Sequence, residues 1–168
     1  HILAAVSNKT IYFVRSFTRE TIKILHTNDI HSSFYNFYKI GKIIKKTYDK
    51  DTLLLDAGDL IDFSSLDVKL CDGEVCLEMM KYLNYSALAI GNNEGFQQKR
   101  VLNKLSNNHF INILSCNLYA KGKRIFQSSM IKEVSGVRFL VVGVSPYYQS
   151  YNDYYNLNGT YCIEPYKI

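Results

Sequence analysis

Residues 21–34 read TIKILHTNDIHSSF, a short, largely apolar run from Ile22 to Leu25 that breaks into the polar cluster HTNDIH. The pattern recurs twice. Residues 53–62 read LLLDAGDLID and residues 79–96 read MMKYLNYSALAIGNNEGF, so apolar runs at Leu53–Leu55 and Ala87–Ile90 end in DAGD and GNNE. Between these runs the period changes. Phe37, Ile40, Ile44 and Tyr48 fall at helical spacing, as do Cys76, Met79, Met80 and Leu83. Val101, Leu102 and Leu105 mark a third helix and Ile111–Cys116 a fourth strand. Strand and helix in alternation predict an α/β fold, a sheet joined by crossover helices.

After Asn117 the rhythm shifts. Ile125–Val134 and Val137–Val144 are strand-like and separated only by Ser135-Gly136, which predicts a tight hairpin. Pro146 is expected to open a Tyr- and Asn-rich loop. Tyr147, Tyr148, Tyr151, Tyr154, Tyr155 and Tyr161 crowd this stretch, and ordinary packing explains them better than an exposed aromatic surface does. Residues 1–20 have no clear period and are expected to form an arm or an appended strand.

The 168 residues are one domain's worth of chain, and 47% hydrophobic with 21% charged residues lies in the globular range. No apolar run is long enough to span a bilayer, so no membrane partner is expected. The opening HILAAVSNKT lacks an initiator Met and the charged-then-apolar order of an intact signal peptide. A processed N-terminus or a fragment is expected, with a cytoplasmic setting preferred over an exported one. The net charge of +5 suits an anionic small molecule. The run Lys42, Lys45, Lys46 reads as a solvated helix face and not as a nucleic-acid site, because no clustered Arg accompanies it. Cys71, Cys76, Cys116 and Cys162 lack metal-site spacing and read as reduced thiols. Oligomeric state is not encoded in any pattern read here.

The informative feature is where the polar clusters sit. Asp29, Asp59 and Asn92 each follow a strand directly and lie about one strand–helix unit apart. In open α/β sheets the carboxyl ends of the strands line one crevice, so the three clusters are expected to converge. Their chemistry converges too. Asp29 and His31 can reach one ion from a turning segment. Asp59 follows Gly58, which lets the backbone turn and leaves a carboxylate able to bridge two cations. Asn92 offers a neutral amide oxygen. Such mixed ligands suit divalent Mn, Fe or Zn, and two ions roughly 3.5–4 Å apart clamp a phosphate and activate water. Any one of these clusters alone would read as an ordinary turn.

HTNDIH, DAGD and GNNE, followed by SCNLY at residues 115–119, resemble the successive motifs of the calcineurin-like metallophosphoesterases. More narrowly they resemble the 5′-nucleotidase and 2′,3′-cyclic phosphodiesterase branch, over about Thr21 to Val144. The resemblance implies a layered αββα fold, incomplete on its C-terminal side. Residues 21–168 would then be the N-terminal portion of the catalytic domain. It also implies two divalent ions (Mn, Zn, Fe or Mg), with Asp29 and His31 on the first, Asp59 bridging and Asn92 on the second. The implied substrates are nucleotide phosphomonoesters or cyclic phosphodiesters, attacked in line by a hydroxide that the two metals activate.

Two departures stand out. The family's usual GNHE is Gly91-Asn92-Asn93-Glu94 here, although a group of related bacterial proteins also reads GNNEG. Asn93 thus occupies the position of the catalytic histidine, where with Asn92 it would meet the substrate, but it cannot carry positive charge. The later histidines that complete both ion shells are also missing. His109 is the only histidine after His31, and it reads as a surface or packed residue. A fragment of a longer enzyme is therefore expected, with a weak or inactive homologue that binds metal, nucleotide or a partner as the alternative.

Overall fold

The computed structural model describes residues 2–5 and 21–167. Of the segment expected as an arm or appended strand, Ile2–Ala5 forms β1; residues 6–20 lie outside the described residues. Then come β2 (Lys23–Thr27), α1 (Phe34–Thr47), β3 (Thr52–Asp56), α2 (Leu66–Leu70), α3 (Glu74–Tyr82), β4 (Ala87–Ala89), α4 (Asn92–Gly95), α5 (Lys99–Ser106) and β5 (Asn112–Leu114). The remainder is β6 (Leu118–Ala120), β7 (Lys123–Arg124), β8 (Ser129–Val134), β9 (Val137–Val142), α6 (Gln149–Leu157) and β10 (Thr160–Cys162), followed by a short turn of 3₁₀ helix.

Strands β2, β3, β4 and β5 form one parallel sheet in that order, so all four carboxyl ends lie on one edge. Every residue of β3 is buried, as expected of a strand covered on both faces. Its side chains alternate. Leu54 joins Leu88 and Ile113 against Phe37 and Ile44 of α1, Leu77 and Met80 of α3, and Leu102 and Leu105 of α5. Leu53 and Leu55, with Ala87 and Leu114, face the other way onto Val134, Phe139 and Val141. Those last three belong to a second sheet, β1-β9-β8, in which β8 and β9 are the expected hairpin about Ser135-Gly136. Helices, sheet and second sheet make three of the four layers of an αββα sandwich.

Three regions differ from the sequence reading. The run from Ile125 does not become a strand until Ser129. Its first residues cross between sheets, where Ile125 N–H donates to Leu118 O and Ser115 N–H to Gln127 O. A small sheet, β10-β6-β7, was not anticipated because its strands are two or three residues long. The stretch after Pro146 is helical, not a loop. Tyr151 and Tyr155, four residues apart, lie on one face of α6 and pack on the Phe96 ring at 5.1 and 4.9 Å. Asn158 ends the helix and donates to Phe96 O at 2.6 Å. No helix among the described residues is long and apolar enough to cross a membrane.

At the carboxyl edge, buried Asp56 ties β2 and β3 to the segment before β4. Its carboxylate accepts from the Thr27 hydroxyl and from Gly58 N–H, and Thr27 Oγ1 lies 2.8 Å from Tyr85 Oη. Burial pushes the Asp56 carboxyl up to about 7, against the hydrogen bonds from Thr27 and Gly58 that pull it down. The folded chain thus holds a proton that the unfolded chain releases near pH 4. Stability from this proton is complete below that pH and is lost as pH rises toward 7. In chelator, the urea midpoint should therefore fall from pH 5 to pH 8, and more shallowly in Asp56→Asn, whose amide fits the same partners. A midpoint that rises over this range contradicts the assignment.

Candidate metal centre

The loops after β2, β3 and β4 are built against one another by main-chain hydrogen bonds. Asp29 N–H donates to Gly58 O at 3.0 Å, His31 N–H to Asp59 O at 3.0 Å and Ser32 N–H to Leu60 O at 2.7 Å. The first loop is thereby laid along the second. Asp29, His31 and Asp59 adopt left-handed backbone with φ of 56°, 50° and 53°. Asp and His enter this region more readily than most side chains, but still at a cost. The residues proposed as first-ion and bridging ligands are three of the eight non-glycine residues with positive φ among those described, and Ser32 of the same loop is another.

The second and third loops touch back to back. A Cβ on Gly58, already at φ +111°, would sit 2.8 Å from Gly91 N. One on Gly91 would lie 2.4 Å from both Asp59 N and Asp59 Oδ1. Both glycines are therefore required by close approach. Glu94, fully buried, joins the same two loops. Its Oε1 accepts from Ile61 N–H at 2.7 Å, and its Oε2 from Gly91 N–H at 3.0 Å and Asp59 N–H at 3.2 Å. Burial pushes this carboxyl up to about 8, and the backbone donors oppose that.

Asp29, His31 and Asp59 each offer one ligand atom, and the three atoms lie within 4.8 Å of one another. His31 Nε2 is 3.5 Å from Asp29 Oδ1. The Asn28 side-chain amide donates to the Asp29 carboxylate. Asp59 Oδ1 accepts from Asn93 N–H at 2.7 Å, and burial raises the Asp59 carboxyl above its ordinary range while that hydrogen bond lowers it. The Asn92 amide presents one of its two polar atoms 2.9 Å from Asp59 Oδ2. With nitrogen there, Asn92 donates to the carboxylate. In that orientation its oxygen also accepts from Asn93 N–H at 3.2 Å, which satisfies both ends of the amide. The donor set is thus the oxygen-and-imidazole mixture that divalent transition ions favour, and the residues fit such an ion. The Asn93 amide lies 2.9 Å from His31 Nδ1. All five residues proposed from the sequence are brought to one crevice.

Residues 22–163 match the family profile of the calcineurin-like phosphoesterases. The chain belongs to that family. Among curated relatives of this calcineurin-like phosphoesterase, it is 31% identical over 147 residues to the metallophosphoesterase YunD of Bacillus subtilis, covering 80% of this chain and 32% of YunD. It is 31% identical over 139 residues to the 5′-nucleotidase of Vibrio cholerae, covering 74% of this chain and 25% of that protein. The chain therefore spans about a quarter to a third of these relatives. Its fold resembles the crystal structure of YfkN, a calcineurin-like phosphoesterase from Bacillus subtilis, with TM-score 0.66 and 20% identity over 87% of this chain and 55% of that one. The 5′-nucleotidase precursor from Thermus thermophilus gives TM-score 0.63 and 19% identity, over 87% of this chain and 32% of that one.

Two residues escaped the sequence reading. Glu94 was quoted in GNNE without a role, although a glutamate three residues after a strand-end glycine has capping-box spacing. Asp56, the first residue of DAGD, likewise has no role in the sequence reading. His109 is exposed on the turn before β5. Gly91→Ala should displace Asp59 and reduce manganese affinity by at least about tenfold, the worth of one well-placed hydrogen bond or more. Calorimetric titration beside a circular dichroism spectrum checks this; unchanged affinity in a folded variant contradicts the back-to-back packing argument.

Proposed function

We propose that this chain supplies the first-ion and bridging half of a two-metal phosphoesterase acting on nucleotide phosphomonoesters or cyclic phosphodiesters. The observation that carries the reading is the convergence of Asp29, His31 and Asp59 within 4.8 Å at adjacent strand ends of a calcineurin-like phosphoesterase. Asp29 and His31 would hold one divalent ion, Asp59 would bridge and Asn92 would serve the second. Bound there, such ions neutralise phosphoryl charge and lower the pKa of water to near neutrality. The protein's own part is positioning. The left-handed turns fix Asp29 and His31, Asn93 N–H orients Asp59 through Oδ1, and Glu94 holds the backbone from which Asp59 projects.

Asn93 would meet a phosphoryl oxygen as a neutral donor, since its amide carries two N–H groups and its neighbours engage only one. A neutral donor stabilises developing negative charge less than a cationic side chain. That favours slow turnover, or substrates with good leaving groups. The 5′-nucleotidase name of the Vibrio cholerae relative supports a nucleotide substrate. Four free cysteines suit a reducing, cytoplasmic setting over an exported one.

The assay is phosphate release from 5′-AMP, 2′,3′-cyclic AMP and p-nitrophenyl phosphate with manganese, on the longest reading frame that contains this chain. Turnover should require metal and fall by at least about 100-fold in Asp59→Ala, more than loss of an outer-shell metal contact costs. Turnover that survives chelation or Asp59→Ala, or none on any phosphoester, sinks the proposal.

A further inference from the structure

Helix α1 turns Phe37, Gly41 and Ile44 into the core and has no acidic residue among its fourteen. On the opposite face Lys42, Lys45 and Lys46, expected as a solvated helix face, are joined by Lys39. All four are exposed, and none is ion-paired among the described residues. Tyr35, Tyr38 and Ile43 stand between them, and Tyr82 at the end of α3 lies alongside; each is between 59% and 71% exposed. Gly41 lets α1 lie close against that end of α3, since a Cβ there would sit 3.3 Å from Leu83 Cδ2.

Three of the lysines fold back over tyrosine rings. Lys39 Nζ is 4.1 Å from the centre of the Tyr35 ring, Lys42 Nζ 4.6 Å from that of Tyr38 and Lys45 Nζ 3.9 Å from that of Tyr82. The surroundings do little to cancel their charge. Asp49, just past the helix, is held by Lys23, and Glu74 of α3 by Lys104. That leaves Glu78, one turn before Tyr82, as the unpaired carboxylate of α3 beside four lysines.

The composition of the face selects its partner. A specific phosphate clamp uses the forked guanidinium of Arg, and this face has none. A single-stranded nucleic acid stacks its bases on open aromatic rings, but here ammonium groups cover the rings. Tyrosine, with an apolar ring and a polar hydroxyl, suits the interface of a bilayer. Lysine reaches headgroup phosphates along its own apolar stem. Lysines on successive turns of one helix match the diffuse negative charge of an anionic membrane. A contact of this kind needs no spanning segment, so the lack of a long apolar run in the sequence does not oppose it.

We propose that the outer face of α1, together with Tyr82, is a peripheral docking surface for a bilayer of anionic phospholipid. On contact the lysines exchange the tyrosine rings for headgroup phosphates, and Tyr35, Tyr38 and Ile43 settle at headgroup level. Because α1 begins at Phe34, three residues after His31, the crevice lies at the amino end of the contact. The inference stands apart from the metal-binding reading.

The test is cosedimentation of the longest reading frame that contains this chain with vesicles of phosphatidylcholine, alone or mixed with phosphatidylglycerol. Binding should require phosphatidylglycerol and weaken as salt rises, because salt screens exposed charge. Lys39→Gln, Lys42→Gln and Lys46→Gln combined should lower affinity by about 100-fold, at roughly fivefold for each lysine, with an unchanged circular dichroism spectrum. Tyr35→Ala with Tyr38→Ala should weaken binding and leave its salt dependence in place. No binding to phosphatidylglycerol vesicles at low salt overturns the proposal. So does vesicle binding that the folded lysine variant retains, or affinity that the tyrosine pair does not move. Tighter binding to a DNA oligonucleotide, lost in the same lysine variant, overturns it in favour of a nucleic-acid site.

Discussion

One buried carboxylate, Glu94, organises the crevice. Its two oxygens take the N–H groups of Asp59, Ile61 and Gly91, so a single side chain on a one-turn helix holds the loops after β3 and β4 together. A buried carboxylate is tolerated only when its lone pairs are occupied, and an unpaired buried amide costs on the order of 1–3 kcal/mol. Each side of this contact therefore depends on the other. The two glycines follow from it, since a Cβ on Gly58 or Gly91 would push apart the backbones that Glu94 draws together.

The first loop is added to this pair by its own ladder onto the second, and the ladder offsets the left-handed conformations of Asp29, His31 and Asp59. The same conformations aim the side chains at a common point. Strain held by surrounding structure at a candidate ligand cluster is a form of preorganisation: the side chains proposed as ligands already lie together. Beneath them, Asp56, Thr27 and Tyr85 form a buried floor that links the ends of β2 and β3. Sheet, floor and loops thus carry the candidate ligands at the ends of buried parallel strands.

Much of this was legible in the sequence, because parallel buried strands are continuous apolar runs and the polar clusters begin where those runs stop. Leu53–Leu55 and Ala87–Ile90 could be placed from hydrophobicity alone, and the crevice followed from their order. Asn93 and Glu94 show the limit. Both were visible in GNNE, but which backbone groups Glu94 would cap, and that the Asn93 amide would reach His31, depend on how three distant loops dock. The helix after Pro146 was missed for a related reason: its Tyr- and Asn-rich sequence has weak intrinsic preference, and Phe96, more than fifty residues earlier, supplies the surface that Tyr151 and Tyr155 cover. The short strands β6, β7 and β10 are too brief for any period to register.

Everything proposed for these docked loops depends on their forming a divalent-metal site. Anomalous diffraction from crystals of this chain grown with manganese tests it most directly. The expected result is an anomalous peak coordinated by the Asp29 carboxylate, the His31 imidazole and the Asp59 carboxylate, with Glu94 still capping the two loops beneath it. A peak ligated elsewhere, or a crevice without manganese at saturating concentration, would contradict it.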